Sequence, residues 1–179
     1  PGFEAQEAPD METYSKALNA GQYPLAVLAM NELAAELYRK GVYGNTMTSN
    51  PRALDVACAV LDSLTPELRR NTRARGAECL KKLRALQAEM GDRITAVQGT
   101  GLLFSVALDS SRFKSYGSRS IEEYMRMHGV NVIHGGPNSL RFTPHFRITS
   151  EEIDLLIKAT REAVLKGPMK ASASAAEAA

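Results

Sequence analysis

The amino-acid sequence predicts an α+β fold, a short and largely antiparallel sheet covered by helices, preceded by a remnant of a larger α/β domain. Three observations predict it. From Thr65 onward the hydrophobic periodicity runs helix, strand, strand, helix, strand, strand, helix, an order that lays helices on one face of an antiparallel sheet. Asn50-Pro51 and Thr65-Pro66 each place a capping residue before a proline at the first helical position, where no N–H is missed. Tyr23 to Met30 (YPLAVLAM) is a continuous apolar run of the length of a strand covered on both faces, which needs more neighbours than this stretch supplies. The expected divisions are residues 1–63 for the larger domain's remnant, 64–166 for the small domain and 167–179 for a disordered tail.

Taken in order, Pro1 to Asp10 is polar, proline-flanked and without period, and reads as an extended arm. Met11 to Ser15 follows as a short strand, then the Tyr23 to Met30 run. Asn31 to Lys40 reads as a helix with Asn31 at its cap and Gly41 as its stop. After a polar loop, Ala53, Leu54, Ala57, Cys58, Val60, Leu61 and Leu64 keep helical spacing. Leu68, Ala77, Leu80, Leu83, Leu86 and Met90 stripe a long helix that ends near Gly91. Ile94 to Val97 and Leu102 to Leu108 read as strands about the turn Gly99-Thr100-Gly101. Ser120 and Glu123 form a capping-box pattern for a helix stopping at Gly129. Val130 to Ile133 and Leu140 to Phe142 are short strands around Gly135-Gly136-Pro137-Asn138. Thr149 and Glu152 repeat the capping box before the last helix, and the tail beyond Gly167-Pro168 is low in complexity.

Composition narrows the function classes. Of 179 residues 44% are hydrophobic, enough to bury a core, and 22 basic against 20 acidic residues give a net charge of +2, so mixed a balance that it argues against a nucleic-acid partner. The basic residues between Arg69 and Arg84 spread through a helical pattern and read as a solvated helix face rather than a phosphate-binding patch. No apolar run reaches the ~18 residues that span a bilayer. Cys58 and Cys79 fall at apolar-periodic positions and read as reduced core residues, from which a cytoplasmic setting follows. His128, His134 and His145 lack metal-ligand spacing with one another or with the cysteines, so no metal is expected.

Two stretches carry chemistry. Lys16 stands among small, polar and turn-forming residues between two strands. A lysine amine attacks a carbonyl only when burial or a nearby cation lowers its pKa, and a strand end facing a cleft offers burial; the alternative is a lysine reaching into solvent. Asn45, Thr46, Thr48 and Ser49 crowd donors ahead of a helix N-terminus, where the dipole favours an anion such as phosphate; the alternative is ordinary capping.

Four motifs in order, TYSKALNAGQYPL, YGNTMTSNPRALDVA, QGTGLLFSVAL and NSLRFTPHFRIT followed by EEID, resemble the C-terminal half of class III aminotransferases over about residues 9–166. These are pyridoxal-phosphate enzymes of fold type I, related to ornithine, acetylornithine and 4-aminobutyrate aminotransferases. The resemblance implies that Lys16 forms the Schiff base with pyridoxal 5'-phosphate and then moves a proton between substrate and cofactor. It implies that Thr46 reaches the cofactor phosphate across the interface of a homodimer. It implies that Arg141, in the family's R-F-x-P pattern, pairs with a substrate carboxylate or with an active-site acid; a structural ion pair at a strand end is the alternative. The Gly99-Thr100-Gly101 turn matches a glycine pair of structural role.

The same resemblance exposes departures. The acid that pairs with the pyridine nitrogen, the aromatic residue that stacks on the ring and the phosphate-binding glycine/serine loop precede the lysine in the family, and none can be assigned within Pro1 to Ser15. The chain is therefore expected to be the C-terminal part of a longer enzyme, inactive alone. Asn19-Ala20-Gly21-Gln22 departs from the family's glycine-richer run. Beside a transaminase with an amino donor and an oxo acceptor, two readings stay open: a pyridoxal-phosphate aminomutase, and a non-catalytic dimerisation module of the same fold.

Overall fold

A computed structural model describes residues 6–42, 44 and 48–170. The chain divides into two compact units, Pro1–Pro66 and Glu67–Ala179.

In the first unit, β1 (Met11–Ser15) and β2 (Ala26–Met30) form an antiparallel ribbon in register from Met11 opposite Met30 to Ser15 opposite Ala26. Asn31 closes its open end. Its Nδ2 donates to Asp10 Oδ1 at 2.7 Å, and its Oδ1 accepts from Ala34 N at 2.8 Å, capping the short helix α1 (Glu32–Ala35). The expected helix to Lys40 stops five residues early. Leu33 and Leu37 are about 70% exposed and Ala34 is the one buried residue of α1, so the helix has little apolar face to bury, and a helix with so little packing does not extend.

The apolar run is also corrected. Its strand begins at Ala26 rather than Tyr23, and every residue of β1 and β2 is exposed rather than covered on both faces, β1 being the only strand paired with β2 among the described residues. α2 (Pro51–Ser63) opens as its Asn-Pro signal predicts, with Asn50 Oδ1 accepting from Arg52 N at 3.1 Å. Its buried positions are Ala53 and Ala57. Cys58, one residue further round the helix, is exposed and not a core residue.

The second unit holds α3 (Pro66–Met90), β3 (Ile94–Thr100), β4 (Leu103–Leu108), α4 (Ile121–Met127), β5 (Ile133–Gly135), β6 (Ser139–Phe142) and α5 (Ser150–Lys166). The sheet order is β3-β4-β6-β5 with every pairing antiparallel. Phe104, Val106 and Leu108 alternate inward along β4 and join Leu140 and Phe142 of β6 against Leu83, Leu86, Met125, Ile153 and Val164 of the helices. Cys79 belongs to this core, where burial, chiefly, and the neighbouring Glu78 push its thiol up to about 12.

The expected turn Gly99-Thr100-Gly101 lies further along than its composition suggests. Gly99 and Thr100 are strand residues, Thr100 pairs with Leu103, and the tight loop is Gly101-Leu102 with Gly101 at φ 53°. The loop meets α3 at Gly76, where a Cβ would stand 2.1 Å from Gly101 O; only a residue without a side chain lets helix and hairpin approach so closely. Residues 167–170, placed in a disordered tail by composition, are ordered. Met169 bridges Phe113, Lys170 N donates to Arg112 O at 2.8 Å, and Lys170 Nζ donates to Ser110 O at 2.6 Å. The rest of that tail, 171–179, lies outside the described residues.

Candidate functional site

Lys16 leaves β1 through a corner. Ser15 is extended at φ −153°, Lys16 turns to φ 54°, and a single 3-10 turn, Lys16–Asn19, ends at Ala20 with φ 53°. Left-handed backbone at two non-glycine residues is strained and persists only where the surroundings hold it. Here the turn is closed by Ala20 N donating to Ala17 O at 3.1 Å, and it packs against α2.

The corner sets Lys16 on a cavity of about 520 Å³ whose lining includes Ser15, Tyr23, Pro24, Thr48 and Ser49. The strand end therefore faces a cavity as expected, but the burial does not follow. The Lys16 side chain is exposed and has neither an ion pair nor a hydrogen bond among the described residues. Thr48 and Ser49, just ahead of α2, belong to the same lining, and Asn50 Oδ1 caps that helix by accepting from Arg52 N. Thr46 and Asn45 lie outside the described residues.

Arg141 belongs to the second unit. On β6 it stands opposite Ser105 of β4 and Ile133 of β5, on the sheet face away from Phe104 and Phe142. With Gln98, Thr100, Leu103 and Ser105 it lines a cavity of about 380 Å³. Its side chain is exposed and has no acidic partner among the described residues. The register also puts Gln98 opposite Ser105, making a polar row Gln98, Ser105, Arg141 across three strands. Sequence reasoning missed Gln98 and Ser105; alternation along β4 marks Ser105 as outward but not what it faces.

The most heavily coupled charges lie elsewhere. Glu78 accepts from Lys82 Nζ at 2.6 Å and from Ser150 Oγ and pairs with Arg75, while Lys82 also bonds Asp154. The Lys82 bond, then the Ser150 bond, hold the Glu78 carboxyl below its usual value. This network ties α3 to α5 and is structural. His128 stacks on Tyr124 and His134 lies tilted against Tyr116, each with ring centroids 4.0 Å apart, and His145 stands 3.6 Å from Glu152. No group of His, Cys, Asp and Glu suited to a metal occurs among the described residues.

The missed residue nearest the lysine is Asn19. It is 1% exposed, the only buried side chain of its turn, and its Oδ1 accepts from Tyr23 N at 3.3 Å. The one signal for it in the sequence was the departure from a glycine-richer run.

Comparison with known proteins sets these positions in context. A family model described as "Aminotransferase class-III" matches residues 3–164. An acetylornithine aminotransferase of Xanthomonas campestris pv. campestris is 30% identical over 152 residues, covering 84% of this chain and 36% of the relative. Among solved structures, the acetylornithine aminotransferase from Elizabethkingia anophelis superposes with a TM-score of 0.80 at 26% identity, covering 92% of this chain and 43% of that one. An ornithine aminotransferase from Toxoplasma gondii, described with partial occupancy of PLP at its active site, superposes at 0.77 with 25% identity, covering 88% of this chain and 37% of that one. The chain thus spans about a third of the length of the curated relatives it matches.

Proposed function

We propose, since the chain belongs to the class III aminotransferase family and has part of the type I fold of pyridoxal-phosphate enzymes, that the protein carrying it moves an amino group from an amine or amino acid to an oxo acid or aldehyde. The observation that carries this reading is Lys16, set by a strained corner on a cavity of about 520 Å³ that hydroxyl groups also line. An amine with hydroxyls beside it suits an aldehyde that bears a phosphate, so the residues fit pyridoxal 5'-phosphate. That cofactor supplies an electron sink for the bond broken at the substrate carbon.

This chain's residues do the rest. Lys16 Nζ is the covalent anchor, through a Schiff base, and afterwards takes and returns the proton at the reacting carbon. Thr46, from the neighbouring subunit of a homodimer, holds the phosphate. Arg141, free of an acidic partner among the described residues, takes a substrate carboxylate bidentately. The first unit is the remnant of the cofactor-binding domain and the second is the small C-terminal domain. The ribbon β1–β2, with Met11, Tyr14, Val27, Leu28 and Met30 each 38% to 50% exposed, and the coverage of 36% both favour a longer enzyme whose remaining chain covers it. No helix among the described residues is long and apolar enough to cross a membrane.

The test is an assay of the longer protein with acetylornithine or ornithine as donor and a 2-oxo acid as acceptor. The expected result is a new amino acid formed from the oxo acid, abolished by Lys16→Ala. Turnover of one substrate without any acceptor would make the protein an aminomutase, and no turnover with cofactor bound nowhere would leave a dimerisation module.

A further inference from the structure

We infer that Asn19 is a positioning residue for Lys16, clamping the strained corner from which the lysine projects; this rests on the reading of Lys16 as the reactive amine. The turn has left-handed backbone at both ends, Lys16 at φ 54° and Ala20 at φ 53°, and neither is a glycine. Something must hold each end, since side chains disfavour this conformation.

Asn19 reaches both sides of the Ala20 end. Its backbone oxygen accepts from Gln22 N at 3.1 Å, and its side-chain Oδ1 accepts from Tyr23 N at 3.3 Å. These two bonds fold residues 20–23 back on the turn and seat Gly21 and Tyr23 in the wall of the cavity that Lys16 lines. The side chain is 1% exposed, within a turn packed against α2, whose buried residues Ala53 and Ala57 are small.

Burial of the amide is bought at a cost: Nδ2 has no hydrogen-bond partner among the described residues. An alanine at 19 would remove that orphan donor together with the useful acceptor, two losses of opposite sign for stability. What alanine cannot replace is the clamp. Asn19 therefore acts more on where Lys16 is held than on whether the unit folds, and small displacements of a reacting group change rates steeply.

The experiment compares Asn19→Ala and Asn19→Ser in the longer protein loaded with pyridoxal 5'-phosphate. A serine hydroxyl keeps a short acceptor near Tyr23 N. For Asn19→Ala the expected result is a kcat about tenfold lower with both KM values within about twofold, and a slower borohydride-trapped pyridoxyl labelling of Lys16. Its thermal midpoint stays within about 2 °C of the parent, and Asn19→Ser recovers most of the labelling rate. An unchanged kcat and labelling rate in Asn19→Ala would overturn the inference. So would a loss of activity that only follows the fraction of unfolded protein, with labelling per folded molecule unchanged. Parent protein that takes no label on Lys16 would instead overturn the functional reading of the lysine.

Discussion

The two units differ in what they bury. In the second, Phe104, Phe113, Leu83, Leu86, Met125, Leu140 and Ile153 are all at most 1% exposed, a core closed from its own residues. In the first, the buried apolar residues among those described are Ala34, Ala53 and Ala57, while Met11, Tyr14, Val27, Leu28, Leu33, Leu37, Leu54 and Leu61 stand open. A two-stranded ribbon is marginal in water without a layer against it. The residues that pack well are thus not those that carry the candidate chemistry: Lys16 sits in the unit whose apolar surface is uncovered, and its support is local, from the 3-10 turn and α2.

Cutting into each unit sharpens that contrast. Phe104→Ala removes a fully buried ring and should cost about 3–5 kcal/mol in denaturant unfolding of the second unit. Leu28→Ala, at a position 48% exposed, should change the stability of this chain by less than about 0.5 kcal/mol. In the longer protein the same change should cost about 2 kcal/mol or more if further chain covers the ribbon. Equal effects of Leu28→Ala in the two contexts would break the contrast. Gly76→Ala, whose Cβ would stand 2.1 Å from Gly101 O, should cost about 1–3 kcal/mol by forcing the β3–β4 hairpin off α3.

An electrostatic effect is smaller than that of Gly76→Ala. Charged Glu78 is favoured in the folded state by Lys82, Ser150 and Arg75, so its folded pKa lies below its unfolded one. Its contribution is complete above the ordinary carboxylate range and is lost as pH falls through that range to the lowered folded value. Glu78→Gln should therefore lower stability by about 0.5–1 kcal/mol at neutral pH. In acid unfolding titrations the gap between variant and parent should close as both carboxyl forms become protonated.

Helix starts were legible because capping is local. Asn50-Pro51 opens α2, and the Thr149/Glu152 capping box forms in both directions at α5. The Ser120 box forms only half as written: Ser120 Oγ caps Glu123 N, but the Glu123 carboxylate takes Arg119 N instead of the cap's own N–H. What depends on distant partners was not legible. The end of α1, the exposure of Cys58 and the extension of β3 through Thr100 are set by what packs or pairs across the fold. At the site, Lys16 and Arg141 carried motif signals, whereas Asn19, Ser105 and Gln98 acquire meaning only from burial or cross-strand register. Asn138 is similar: chosen as a turn residue, it also ties the loop at Phe113 and Ser115 to β4 through both ends of its amide.

The central claim is that Lys16 is the covalent anchor of a pyridoxal-phosphate transaminase. Borohydride reduction of the cofactor-loaded longer protein, followed by peptide mapping, tests it most directly. A pyridoxyl group on Lys16 and no other lysine is the predicted result, and a label on a different lysine, or none, would contradict it.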